Sequence, residues 1–162
     1  MIEVLELYTK AQKTVGSQFI IIGVCLLIIA GITWFGLPTT EFHNGLKVSS
    51  LTCGLLISIG GLVYFNFSQT THDKIVKIHQ ESETKFIQTE QIRMTKVLKD
   101  YPIYQIVFAT FIVIALLLIF VVNQPFWIGV ACPIIGLFVG VLIVEYISKT
   151  SIDNYFLFLS KL

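Results

Sequence analysis

Four apolar stretches divide the chain, running roughly Phe19–Leu37, Val48–Phe67, Ile103–Val122 and Phe126–Ile147. Each is close to the ~20 residues a helix needs to cross a bilayer. Between and around them the pattern turns periodic and polar. Over the first seventeen residues Leu5, Tyr8, Gln12 and Val15 recur at helical spacing, and Glu6 stands four residues before Lys10, so a short amphipathic helix is predicted to feed the first span. Leu37-Pro38-Thr39-Thr40 stops that span, because proline cannot continue a helix and pushes its predecessor into an extended conformation. Asn123-Gln124-Pro125 leaves so short a connection that spans three and four are predicted to form a tight antiparallel pair.

The segment Ser68–Tyr101 is of another kind. Its 34 residues contain no Gly and no Pro, and they carry six basic and five acidic side chains, a solvated-helix composition. Ile87, Gln91, Met94, Leu98 and Tyr101 recur at spacings of four and three, giving one mostly apolar stripe. As one helix this segment would reach ~45 Å, so it is expected to lie along a membrane, pack on a partner, or fold back near Gln80–Thr84. Thr70 with Asp73, and Asp100 before Pro102, are candidate helix starts. After Ile147, Tyr155, Phe156 and Phe158 followed by Lys161 predict a short interfacial helix.

The resulting fold class is an all-α integral membrane protein: four transmembrane helices as two hairpins, joined by an amphipathic cytoplasmic helical linker. Its parts are residues 1–67 (amphipathic helix and first hairpin), 68–101 (linker) and 102–162 (second hairpin and interfacial helix). Charge adds the orientation. Lys10, Lys13, Lys74, Lys77, Lys85, Arg93, Lys96, Lys99, Lys149 and Lys161 fall on one side of the spans and Lys47 alone on the other. By the positive-inside rule both termini and the linker are expected in the cytoplasm, and the bacterial cytoplasmic (inner) membrane is the expected location. Composition agrees: 55% hydrophobic residues against 13% charged is too apolar for a soluble domain of 162 residues. A net charge of +1 leaves no basic face for nucleic acid. The first span resembles a signal peptide only in having Lys10 and Lys13 before it; its core is too long, and no small-x-small site precedes Pro38.

Two segments eighty residues apart share the pattern S-x-T-[ST]-x-D, Ser68–Asp73 and Ser148–Asp153, and at the same offset Gly60 matches Gly140. Each half then reads as a two-span hairpin with an amphipathic extension, in the manner of a parallel repeat. The same pattern also arises wherever a helix needs a Ser, Thr or Asp cap.

Candidate chemistry is sparse. Small residues four apart, Ser50, Gly54 and Ser58 with Gly60 beyond, and Gly136 with Gly140, predict close helix packing by spans two and four at the bundle centre, with span three facing lipid. The stripe Ile87, Met94, Leu98 and Tyr101 is expected to meet lipid, the bundle's own cytoplasmic face or a partner, and is the candidate docking face for lipid or a partner. Glu145 is the one ionisable side chain within a span, and Lys149 at i+4 makes an interfacial ion pair the expected arrangement. Cys25, Cys53 and Cys132 lie inside spans, with no C-x-x-C pair of the kind used by membrane thiol–disulfide enzymes. His43, His72 and His79 fall in loops or the linker, and His72 and His79, seven apart, have no converging Cys or third His to make a metal site. Pro133 is expected to bend span four.

No catalytic residue, cofactor or metal is expected, and an enzyme is the least supported class. The leading expectation is a small non-enzymatic polytopic membrane protein. It would act through oligomerisation or docking to another membrane machine, with lipid and itself or another membrane protein as partners. Small bacterial exclusion, immunity and defence proteins have this size and layout. An oligomeric channel or transporter subunit, and a membrane-shaping hairpin protein, are the alternatives.

Overall fold

The computed structural model describes residues 2–162. Four long helices account for nearly all of them: α1 (Ile2–Phe35), α2 (Glu41–Glu81), α3 (Glu83–Leu117, continued by a π-helical turn Leu118–Val122) and α4 (Pro125–Leu159). Each is long and apolar enough to cross a membrane. At 1.5 Å per residue the 41 residues of α2 reach ~60 Å, twice the ~30 Å of a hydrocarbon core. Apolar spans and polar extensions are therefore parts of the same helices. Both termini and the α2–α3 turn share one end of the bundle, the charged end; the loops after α1 and α3 share the other.

Several expected boundaries are absent. The amphipathic N-terminal segment is the first half of α1, and its Leu5, Tyr8, Gln12 and Val15 are all buried. At Thr70 the helix does not restart: its hydroxyl donates back to the Asn66 carbonyl oxygen at 3.0 Å, and Asp73 accepts from Gln69 Nε2. Asp100 caps nothing, because Pro102 lies inside α3. The C-terminal segment is no separate interfacial helix either. It forms the last turns of α4, with Ile152, Tyr155 and Leu159 buried against the other helices. Packing explains these continuities, since each extension carries an apolar face that the others cover.

The fold-back of the linker occurs at one residue. Ser82 is extended (φ −164°, ψ 121°), its N–H donates to the Ile78 carbonyl oxygen, and its Oγ accepts from the Lys85 N–H at 3.4 Å. One side chain thus ends α2 and starts α3. At the opposite end Thr40 Oγ1 accepts from the His43 N–H, and His43 Nδ1 lies 2.6 Å from the Pro38 carbonyl oxygen. Asn123 closes the π turn in the left-handed region (φ 49°), where asparagine is tolerated.

Buried positions repeat in sevens and run through both halves of the helices: Leu5, Gln12, Phe19, Leu26 and Thr33 on α1, and Gly54, Gly61, Ser68 and Ile75 on α2. A heptad seam is the signature of coiled-coil-like packing. In the apolar half α1, α2 and α4 form the core. Val15, Phe19 and Leu26 of α1 meet Leu137, Val141 and Val144 of α4. Helix α3 lies outside, resting on α4 through Phe111 stacked on Phe138 at 4.7 Å. Only 6% of its most apolar stretch is buried, against 33% for α1 and for α4 and 22% for α2. Helices α1, α2 and α4 thus share the centre, and α3 lies at the periphery.

The parallel pair α2 and α4 makes a reciprocal contact at the short-loop end. A Cβ added to Gly45 would overlap the Phe126 carbonyl oxygen, and one added to Gly129 would overlap the Phe42 carbonyl oxygen. Phe42-x-x-Gly45 and Phe126-x-x-Gly129 thus match each other at an offset of 84 residues, not eighty. Ser68 and Ser148, matched at eighty, are both buried, each bonding back to a carbonyl of its own helix.

A candidate binding cavity at the charged end

Where the helices pass from apolar to charged sequence, their inward faces acquire polar side chains that must find partners. Glu90 of α3 is 1% exposed, and Arg93 one turn later answers it with Nε–Oε2 at 2.8 Å and Nη2–Oε1 at 2.5 Å. A buried carboxylate needs such a two-pronged partner to offset its lost hydration. The guanidinium lies 5.5 Å from the ring centroid of Tyr8 on α1, and Tyr8 stacks on Tyr155 of α4 at 4.5 Å. Three helices are thereby joined through one polar cluster. Burial opposes the Arg93 charge, but the hydrogen bond and charge of Glu90 together with Tyr8 more than offset it and hold its pKa above the ordinary range. Burial pushes the Tyr8 and Tyr155 phenols up, the latter further because of Glu90.

Next to this cluster is a cavity of about 320 Å³ reached by all four helices. Phe67, Tyr64 and Tyr104 form its side toward the apolar half; Thr9, His72, Lys96 and Asp100 form its side toward the charged half. Thr9 Oγ1 donates to the Leu5 carbonyl oxygen and lies 3.1 Å from His72 Nδ1. Tyr64 OH donates to Gln12 Oε1, while the buried Gln12 Nε2 has no partner among the described residues. Tyr101 OH donates to the Glu145 carbonyl oxygen at 2.5 Å. Four charged side chains line the space, Arg93 and Lys96 against Asp100 and Glu145.

No family model matches the chain, and no curated protein or solved structure matches it.

The residues singled out from sequence distribute unevenly over this geometry. Ser50 is fully buried, and its hydroxyl has no partner among the described residues. Gly54 sits against Gly23 and Leu27, and a Cβ at Gly23 would strike Ser58 Oγ. Gly140 has only Ile22 near it, with an added Cβ 3.3 Å from Ile22 Cδ1. Around Gly60 and Gly136, by contrast, a Cβ would meet nothing within 4 Å among the described residues. The close approach falls on Gly61, one residue round the helix, where an added Cβ would come within 2.7 Å of the Gly16 carbonyl oxygen.

The docking stripe is corrected more deeply. Met94 is wholly buried and Tyr101 5% exposed, and Ile87 and Leu98 pack against the same core. The stripe is covered from within by Leu5 and Tyr8 of α1 and by Ile152, Tyr155 and Leu159 of α4. The expected Glu145–Lys149 pair is not made, since Lys149 Nζ lies 5.8 Å from the Tyr101 ring. Among the described residues the ion pairs are Glu81–Lys85 and Glu90–Arg93. Sequence reading missed the Glu90 cluster, although an acidic residue three before the single arginine was visible in the linker.

Proposed function

We propose that this chain is a non-enzymatic four-span membrane protein, arranged as two helical hairpins, that acts by binding an amphipathic small molecule in the cavity at its charged end. The observation that carries the reading is the cavity itself, placed where aromatic and apolar lining gives way to polar lining. Its polar groups are committed to one another: Gln12 accepts from Tyr64, and Thr9 directs its hydroxyl proton to the Leu5 carbonyl oxygen and not to His72. Ten of the eleven basic residues at the charged end favour a cytoplasmic setting for it, in a bacterial inner membrane. Exposed Phe35, Ile106 and Phe120 in the apolar half suit contact with lipid.

The test is native mass spectrometry of the chain purified in mild detergent. One retained amphiphile per chain is expected, and its loss on Thr71→Trp, which puts an indole on the half-buried cavity wall. Retention undiminished in that variant would place binding elsewhere.

Docking to another membrane machine loses its basis in the linker stripe, but association within the bilayer has a specific observation in its favour. Gly60 and Gly136 leave open notches on the outer faces of α2 and α4, where a helix of a second copy could approach closely. Gly136→Leu is then expected to abolish intermolecular cross-linking from Cys132, one turn away.

A further inference from the structure

Resting on the binding reading above, we infer that the ligand of the junction cavity is a phospholipid with a zwitterionic head carrying a primary ammonium, its phosphodiester and ammonium taken by side chains of different helices of the same site. The charge pattern restricts the class first. Of the four charged side chains on the lining, Arg93 is held by Glu90, which leaves Lys96 of α3, Asp100 one turn on and Glu145 of α4, so a purely anionic head meets two carboxylates and a purely cationic one meets Lys96. A head that carries both signs satisfies both.

Glu145 supplies the ammonium side. It is half-buried, outside ion-pair distance of any described cation, and its nearest candidate partner, Lys149, is turned onto the Tyr101 ring. A carboxylate held this way gains from a mobile cation that brings its own N–H donors. Tyr64, Tyr101 and Tyr104 line the same space, and aromatic faces attract ammonium groups. Lys96, outside ion-pair distance of any described carboxylate, supplies donors for phosphate oxygens. Chain entry is open at the apolar edge, where Phe67 and Tyr104 are 64% and 54% exposed. A lipid in the adjoining leaflet reaches the cavity with its head at the level of Glu145 and its chains still among other lipids.

The experiment is a titration of the delipidated full-length chain with short-chain phosphatidylethanolamine, phosphatidylcholine and phosphatidylglycerol, read by native mass spectrometry. Phosphatidylethanolamine is expected to bind one to one and roughly tenfold more tightly than phosphatidylglycerol. Glu145→Gln is expected to erase that preference, and Lys96→Gln to weaken all three lipids alike. Equal binding of the three lipids by the unaltered chain, still blocked by Thr71→Trp, overturns the headgroup assignment and leaves a general amphiphile site. A preference for phosphatidylglycerol overturns the assignment as well. The absence of stoichiometric binding by any lipid overturns both readings. Because the comparison among lipids uses the unaltered chain, it decides the matter even if a variant fails to fold.

Discussion

At the scale of single residues, the charged end depends on Glu90 and Arg93. Removing one partner of a buried pair leaves the other charge without compensation, at a cost of about 3–5 kcal/mol, whereas replacing both with apolar groups can be neutral. Arg93→Met is therefore expected to lower the thermal midpoint in detergent markedly, and Glu90→Met with Arg93→Met to recover much of it. Alkaline pH provides a second probe. Burial and then the Glu145 charge push Tyr101 up to about 12 from an ordinary phenol value near 10. The folded state thus favours the neutral phenol. This contribution is intact below about pH 10 and is lost as pH rises through about 12. A tyrosinate absorbance titration of the folded chain is expected to show phenols that ionise only together with unfolding, and Tyr101→Phe to remove one of them. None of this was legible beforehand. Periodicity puts Tyr8 and Tyr101 on mostly apolar stripes, the second read as a docking face, but which polar atoms meet across helices depends on rotamers and depth that no spacing encodes.

At the scale of elements, the spans were legible because length and apolarity alone decide them, and the extensions because their polar residues keep the helical period. The breaks were not. Thr70, Asp73 and Asp100 have cap chemistry, yet each sits where a cap would interrupt an inward-facing heptad seam, and the seam prevails. Small-residue spacing predicted that α2 and α4 carry close contacts but included Gly60 and Gly136, which lie off the packed faces. Adjacent glycines point about 100° apart on a helix, so of Gly60 and Gly61 only one can face the core. Gly61→Leu is expected to destabilise the fold by at least ~1–3 kcal/mol through overpacking against α1, with Gly60→Leu close to neutral in the same melt. Parity of the two would contradict the packing described. Ser82→Ala, which removes the acceptor for the Lys85 N–H, is expected to cost ~1 kcal/mol and to raise proteolytic cutting at the turn.

At the scale of the whole molecule, the sorting of charge gives a directional prediction. With Cys25, Cys53 and Cys132 replaced, a cysteine at Asn44 is expected to react with a membrane-impermeant maleimide in intact cells, and one at Gln80 only after permeabilisation. Labelling of Gln80→Cys from outside would reverse the orientation. The general architecture followed from sequence because a bilayer imposes one length and one polarity on anything that crosses it. The cavity did not, since it exists only where four separately coded faces fail to close completely.

The reciprocal contact of Gly45 and Gly129 has a mechanical consequence. Helices α2 and α4 are unbroken rods that touch backbone to backbone at one end, while at the other they flank a space the size of a small molecule. Such a pair works as a pair of tongs with its fulcrum at those two glycines. A change in what fills the cavity is then expected to alter the spread of the arms at the charged end, where the cavity lies, while the contact at Gly45 and Gly129 stays closed.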